Sequence, residues 1–254
     1  MRKTEAMGVG ADAARRMAAG FGLPAPGEAH VWEIDLAGDD RTLRACAAVL
    51  SNEERARGER FHSADDAARF VIAHGHMRCI LGLYACVHPS LLTFARSPFG
   101  KPGLDGPVAA RGIRFNMTDS YDVALVAVAR EREIGVDIER IDARPDMEPL
   151  AARCFCPAER RLLHEAADAE RAAVFTALWA RKEAYVKAHG EGMSLELRSI
   201  DVSRIPGVLG GRWRVDDIEA RPGYRSALAL EGGEGRTTRY TPAQSAGALF
   251  NQEH

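Results

Sequence analysis

Apolar positions along the chain alternate between a period of two and a period near 3.6, and the order of these rhythms repeats once. His30 to Leu36 reads as a strand. Ser51 and Glu54 form a capping-box pattern ahead of a short basic helix, after which Phe70, Met77, Ile80, Tyr84 and Val87 recur at helical spacing. Strands are predicted near Leu92 to Arg96, Ile113 to Met117 and Val123 to Ala129. The polar gap Glu131-Arg132-Glu133 then separates two halves, and Ile134 to Ile138 alternates as a strand. Pro157 suits a helix first turn, a long helix runs from Asp168 to His189 and stops at Gly190, and strands are predicted near Ile200, Trp213 to Ile218 and Ser226 to Glu231. Each half reads strand, helices, strands. The class is α+β, with helices packed on antiparallel sheet in two pseudo-symmetric subdomains, residues 28–131 and 132–254, behind an N-terminal extension, residues 1–27. That extension is rich in Ala and Gly and closes with Pro24 and Pro26.

Composition narrows the partners. The chain has 254 residues, 46% of them hydrophobic, enough for a sizeable core. Its net charge of −2 gives no whole-molecule attraction to nucleic acid or to an anionic membrane, so neither is an expected partner and any phosphate binding must be local. Five cysteines, Cys46, Cys79, Cys86, Cys154 and Cys156, form no paired C-x-x-C clusters and fit reduced thiols in a cytoplasmic protein. No apolar run makes a signal peptide or a membrane span.

Candidate chemistry lies mostly in the second half. In Gly135-Val136-Asp137-Ile138-Glu139, strand alternation sends Val136 and Ile138 to one face and both carboxylates to the other, roughly 6–7 Å apart. Alone, this is also what an ordinary strand with a wet face shows. On the long helix, Trp179, Glu183 and Lys187 share one stripe at i, i+4 and i+8. Alone, this is a surface Glu–Lys pair beside a core tryptophan. In combination, a third carboxylate beside an Asp-x-Glu strand suits Mg²⁺, which takes oxygen ligands and leaves room for phosphate oxygens, and Lys187 would face the same anion. The first half offers Arg57, Arg60 and Arg69 on helices and Lys101 in the turn Phe99-Gly100-Lys101-Pro102, all of which ordinary solvated surfaces also explain.

Taken in order, these stretches resemble the surfactin-type 4′-phosphopantetheinyl transferases. The matching motifs are Glu54-x-x-Arg57-x-x-Arg60-Phe61, Arg69, Gly100-Lys101-Pro102, Phe115-Asn116, Gly135-Val136-Asp137-Ile138-Glu139, Phe155-Cys156-x-x-Glu159 and Trp179-x-x-Lys182-Glu183-Ala184-x-x-Lys187. Gly190-x-Gly192 and Pro222-Gly223-Tyr224 resemble further family features. The resemblance implies coenzyme A held in a cleft between the subdomains, with its nucleotide on the side of residues 28–131 and the metal and catalytic residues on 132–254. It implies Asp137, Glu139 and Glu183 as ligands of Mg²⁺ or Mn²⁺, with Glu183 also a general base and Lys187 on the diphosphate. It further implies Lys101 at the adenine nucleotide and Arg57 or Arg60 near the 3′-phosphate. An acyl or peptidyl carrier protein would dock near Arg140 to Phe155, on a monomer whose halves imitate a dimer.

One position departs from the pattern. Where the family reads Phe-Asn-x-Ser-His-Ser, this chain has Phe115-Asn116-Met117-Thr118-Asp119-Ser120. Thr118 keeps a hydroxyl, but Asp119 stands where a histidine meets the phosphates, and a bare carboxylate repels phosphate. The options are a turn cap, weakened coenzyme A binding, or an ion pair with an arginine; pairing with Arg57 or Arg60 is the expectation. The implied reaction moves 4′-phosphopantetheine from coenzyme A to a carrier serine, releasing adenosine 3′,5′-bisphosphate. The rivals are a metal-dependent nucleotide diphosphate hydrolase and a non-catalytic carrier-binding relative.

Overall fold

A computed structural model of the chain describes residues 22–142, 146–192, 196–232 and 235–241. Most of the expected N-terminal extension, residues 1–21, lies outside them, as do residues 143–145 of the expected carrier-docking segment. In chain order the elements are β1 (Glu28–Asp35), α1 (Asp40–Val49), α2 (Asn52–Gly58), α3 (Ala64–Ala85), β2 (Phe94–Arg96), β3 (Pro102–Leu104), β4 (Ile113–Ser120), β5 (Val123–Arg130) and β6 (Ile134–Arg140). They continue with α4 (Met147–Cys154), α5 (Pro157–Glu165), α6 (Asp168–His189), β7 (Gly207–Leu209), β8 (Trp213–Ile218), β9 (Tyr224–Glu231) and β10 (Arg236–Tyr240). One sheet has the order β10-β1-β5-β4, a second the order β6-β9-β8-β7, and β2 and β3 form a separate hairpin. The triplets β1-β5-β4 and β6-β9-β8 are the same motif used twice, which is the α+β architecture expected from the repeated pattern. Pairing is antiparallel except between β10 and β1, where the last described strand crosses back in parallel to the first sheet.

The layers follow from strand alternation. Trp32 and Ile34 of β1 and Ala124, Val126 and Val128 of β5 face α3, while Ala29, Val31, Val123, Leu125, Ala127 and Ala129 pack against Ile134, Val136, Ile138, Leu228 and Leu230 of the second sheet. Strand β5 is thus buried on both faces, which is why Val123 to Ala129 reads as an unbroken apolar run. The far face of the second sheet, through Val215, Ala227 and Ala229, packs on Ala180, Ala184 and Ala188 of α6. The order is helix, sheet, sheet, helix.

A second repeated device fixes each long helix. Ser51 caps α2 in a full capping box with Glu54, whose Oε2 also accepts from Arg78 Nε of α3 at 2.6 Å. Arg78 Nη1 donates to the carbonyls of Pro89 and Leu92, both at 3.0 Å. In the second half Glu159 of α5 accepts from Cys156 N at 2.8 Å and pairs with Lys182 of α6 at 2.9 Å, and Lys182 Nζ donates to the carbonyls of Leu197 (2.7 Å) and Ile200 (2.5 Å). Glu159 and Lys182 are both fully buried. Each buried cation therefore ties a short helix, a long helix and the loop that follows.

These ties explain where the sequence expectations miss. Residues Leu197–Ser199 form a 3₁₀ turn rather than a strand near Ile200, because the Ile200 carbonyl points at Lys182 instead of a neighbouring strand. The strand expected from Leu92 begins at Phe94, since Leu92 gives its carbonyl to Arg78. Val87 lies beyond α3, which ends where Cys86 turns left-handed. Helix α6 has the expected bounds, and Pro157 occupies the first turn of α5. Helices α1 and α4 and strands β3, β7 and β10 are additions.

Because Lys182 is wholly buried, Lys182→Met leaves Glu159 charged and uncompensated, and the expected loss is about 3–5 kcal/mol of unfolding free energy. The double variant Glu159→Met/Lys182→Met removes the lone charge but also the partners of Cys156 N, Val202 N and the Leu197 and Ile200 carbonyls, and should recover part of this. Urea denaturation of the three proteins checks both; a double variant no better than Lys182→Met would contradict the stated origin of the loss.

Candidate active site

The site begins with a close approach of backbone to backbone. A Cβ on Gly135 of β6 would lie 2.1 Å from the Ala184 carbonyl oxygen and 2.3 Å from the Ala188 nitrogen of α6, so only glycine fits there. Ala180, Ala184 and Ala188 form the small-residue stripe on which the sheet rests. The neighbouring stripe, Trp179, Glu183 and Lys187, faces a cavity of about 1000 Å³ that is also lined by Lys101, Asn116, Leu150 and Arg198. Alternation from Gly135 turns Asp137 and Glu139 toward the same helix.

Asp137 is almost fully buried. Its Oδ1 accepts from Lys187 Nζ at 2.5 Å and from Thr118 Oγ1 at 3.1 Å, and Lys187 also donates to Thr118 Oγ1 at 3.0 Å. Its Oδ2 is buried without a hydrogen-bond partner. Burial, aided by the negative charges of Glu139 and Glu183, pushes the Asp137 carboxyl up to about 7 against the pull of Lys187. Glu183 is raised by burial and lowered by Lys187. Those couplings place the three carboxylates in one field.

An oxygen donor left unpaired in a buried position, with two more carboxylates acting on it, fits a hard divalent cation. The fit is one of donor chemistry rather than of finished geometry. Among the described residues, the group with three donor atoms within 4.8 Å of one another is Cys156, Glu159 and Asp201. That group is already committed, since Glu159 accepts from Cys156 N and Val202 N and pairs with Lys182.

Strand β4 supplies the floor. Asn116, Thr118 and Ser120 lie on one face, and all three reach β6. Asn116 Oδ1 accepts from Val136 N at 2.9 Å, Thr118 donates to Asp137, and Ser120 Oγ accepts from Arg140 N at 3.1 Å. The roles of Asn116 and Ser120 were missed from the sequence, although three small polar residues at i, i+2 and i+4 carried the signal.

The first-half candidates separate. Lys101 lines the large cavity, but its ammonium donates to Glu133 (2.6 Å), the Ile134 carbonyl (3.1 Å) and the Ala188 carbonyl (2.9 Å). An ammonium has three donors, so only the stem and the turn backbone face the cavity. Arg57 lies over the Phe70 ring and lines a second pocket with Arg69, His74 and Asp119. Arg60 is exposed beyond the end of α2 and does not line that pocket.

The expected ion pair of Asp119 with Arg57 or Arg60 is not formed. Alternation turns Asp119 away from Thr118 and leaves it exposed, and among the described residues no arginine lies within 4.0 Å of its carboxylate. Arg57 is instead drawn over Phe70. His74, which shares this pocket, was not singled out in the sequence.

The sequence that builds this arrangement is similar to sequences of known proteins. A family model described as the 4′-phosphopantetheinyl transferase superfamily matches residues 133–210. The 4′-phosphopantetheinyl transferase HetI of Nostoc sp. is 38% identical over 179 residues, covering 70% of this chain and 75% of that protein. A putative 4′-phosphopantetheinyl transferase of Synechocystis sp. is 35% identical over 179 residues, covering 70% of each. Sfp, the 4′-phosphopantetheinyl transferase of Bacillus subtilis, is 30% identical over 156 residues, covering 61% of this chain and 66% of that protein. The chain belongs to the 4′-phosphopantetheinyl transferase superfamily.

The contact at Gly135 yields a test. Gly135→Ala should lower stability by about 1–3 kcal/mol, because the added methyl meets helix backbone that cannot step aside, and should also slow turnover by shifting Glu183 and Lys187 away from Asp137. Gly103→Ala, where a Cβ has nothing within 4 Å, is the control. Thermal unfolding that ranks the two variants equally would refute the constraint.

Proposed function

We propose that this protein transfers the 4′-phosphopantetheine of coenzyme A to a serine of an apo acyl or peptidyl carrier protein, in the manner of the surfactin-type enzymes. The observation that carries the reading is the buried Asp137, with one oxygen held by Lys187 and Thr118 and the other unpaired, beneath a large cavity that Glu183 and Lys187 line. Asp137, Glu139 and Glu183 would hold Mg²⁺, with Mn²⁺ a substitute. When bound, the ion supplies charge neutralisation at the diphosphate and at the leaving phosphate.

The chain's own residues do the rest. The carrier serine oxygen bonds to the β-phosphorus of coenzyme A while the bond from that phosphorus to the bridging oxygen breaks, and adenosine 3′,5′-bisphosphate leaves with the electron pair. A serine hydroxyl is a weak nucleophile at neutral pH and must lose its proton during attack. Glu183, whose carboxyl burial raises above its ordinary value, takes that proton. Lys187, hydrogen-bonded to Thr118 and partly exposed to the cavity, meets the diphosphate. The turn at Lys101 contributes backbone and stem to the nucleotide, and Arg57 rather than the outlying Arg60 reads its phosphate.

The protein acts as a monomer built from residues 28–131 on the nucleotide side and 132–254 on the catalytic side. Its carrier docks near the segment from Arg140 to Phe155. Among the described residues no helix is long and apolar enough to cross a membrane. All five cysteines are free thiols, consistent with our placing the protein in the cytoplasm.

Asp137→Ala, Glu139→Ala and Glu183→Ala are each expected to abolish transfer, read by mass spectrometry as loss of the phosphopantetheine gain on an apo-carrier. Chelator should do the same and added Mg²⁺ should restore it. Near-normal transfer by any two variants would remove the metal site. Coenzyme A consumed equally without carrier would identify a hydrolase, and tight carrier binding without modification a non-catalytic relative.

A further inference from the structure

A second pocket of about 380 Å³ opens between α2, α3 and the end of β4, on the face of β4 opposite Thr118. Arg57, Arg69, His74 and Asp119 supply its charge, and Phe61 and Tyr121 add aromatic walls. Guanidinium groups beside aromatic rings suit a phosphate monoester attached to a nucleoside. The charge balance does not. Arg69 is tied to Asp66 at 2.7 Å, and the single charges of Arg57 and Asp119, which are not paired with each other, cancel in number, so with neutral His74 the pocket carries no net positive charge to meet a dianion.

The geometry of His74 shows what could change. Its Nδ1 lies 3.0 Å from the Phe70 carbonyl one helical turn back. A carbonyl only accepts, so Nδ1 carries the hydrogen and Nε2 is the nitrogen with the free lone pair. Its ring lies 3.9 Å from that of Phe70. Burial keeps the imidazole neutral by lowering its pKa, while the Phe70 carbonyl, Glu54 and Asp119 favour the charged form and Arg57 opposes it. Glu54 is already engaged by Arg78 and Ser51 N, which leaves Asp119 of β4 as the uncommitted counter-charge. Asp66 and Arg69 on the same helix hold each other.

We propose that His74 admits a phosphate monoester dianion to this pocket by taking a proton from solvent on Nε2 as the ligand binds, so that the phosphate meets an N–H donor and Asp119 balances the imidazolium. The proposal rests on the reading of coenzyme A as substrate, whose 3′-phosphate is such a monoester. It accounts for a carboxylate at the position of an expected histidine, because the imidazole arrives from α3 and the carboxylate holds its charge.

Calorimetric titration of the unaltered protein with coenzyme A and with 3′-dephospho-coenzyme A, at fixed Mg²⁺ in two buffers of different protonation enthalpy, counts the protons taken up. Uptake is expected with coenzyme A and not with the dephospho analogue. His74→Gln keeps an amide donor but no charge. It should abolish the uptake and weaken coenzyme A binding about tenfold, the difference between a charge-assisted and a neutral hydrogen bond, while leaving the analogue's affinity unchanged. Equal uptake with both ligands, or undiminished uptake in the variant, would overturn the proposal. Should the variant fail to fold by circular dichroism, the two ligands on the unaltered protein decide alone. Transfer to an apo-carrier is measured on the same sample. Transfer without differential uptake removes only the role of His74, whereas no transfer removes the substrate reading itself.

Discussion

The site depends on how one edge strand is finished. Strand β6 ends its sheet, and its outward N–H groups must find partners, because an edge strand left bare costs hydrogen bonds and invites association. They find side chains of β4, the edge of the other sheet. Asn116 takes Val136 N and Ser120 takes Arg140 N. Thr118, between them on the same face, is thereby set against Asp137. A backbone ladder between β4 and β6 would have fused the two sheets into one. The side-chain seam instead joins the halves and leaves a polar channel in which a carboxylate is buried beside a lysine and a hydroxyl.

The seam can be narrow because α6 lies so close. Gly135 touches the helix backbone at Ala184 and Ala188, and the alanine stripe lets the sheet settle there. Rotating one position along the helix reaches Trp179, Glu183 and Lys187. Their cavity-facing position is thus a geometric consequence of the alanines beside them. The helix is held in that rotation by Lys182, whose ammonium is tied to Glu159 and to two loop carbonyls. In Trp179-x-x-Lys182-Glu183-Ala184-x-x-Lys187, one lysine anchors the helix and the other faces the cavity.

This division shows what sequence reading could reach. Period and capping residues are local, so the repeated order of elements, the bounds of α6 and the shared stripe of Trp179, Glu183 and Lys187 were all legible. The burial of Asp137 was not, because it depends on Thr118 and Lys187, 19 and 50 residues away. Lys101 was expected at the adenine nucleotide, and the three bonds of its ammonium were not legible because their acceptors lie 32, 33 and 87 residues away. Asp119 was expected to meet an arginine on the ground that arginines precede it, but strand alternation exposes it and Arg57 is drawn to an aromatic face. The strand expected near Ile200 failed for a related reason, since its carbonyl serves a buried cation that no local pattern announces.

The two halves also separate what the fold needs from what the chemistry needs. Both use a capping-box glutamate, a buried cation on the long helix and two loop carbonyls, so that device is structural. Both also place a side chain of their first strand against the long helix, and here they differ. In the first half this is Trp32, which donates to Tyr84 of α3 at 2.9 Å and stacks on Tyr240, a well-satisfied arrangement that adds apolar burial. In the second half it is Asp137, which is desolvated and holds one oxygen without a partner. A buried polar atom left unpaired costs about 1–3 kcal/mol. The first half shows that the frame closes without that penalty, so packing does not demand the carboxylate. The proposed cation, shared with Glu139 and Glu183, would give the orphaned oxygen the partner that packing does not.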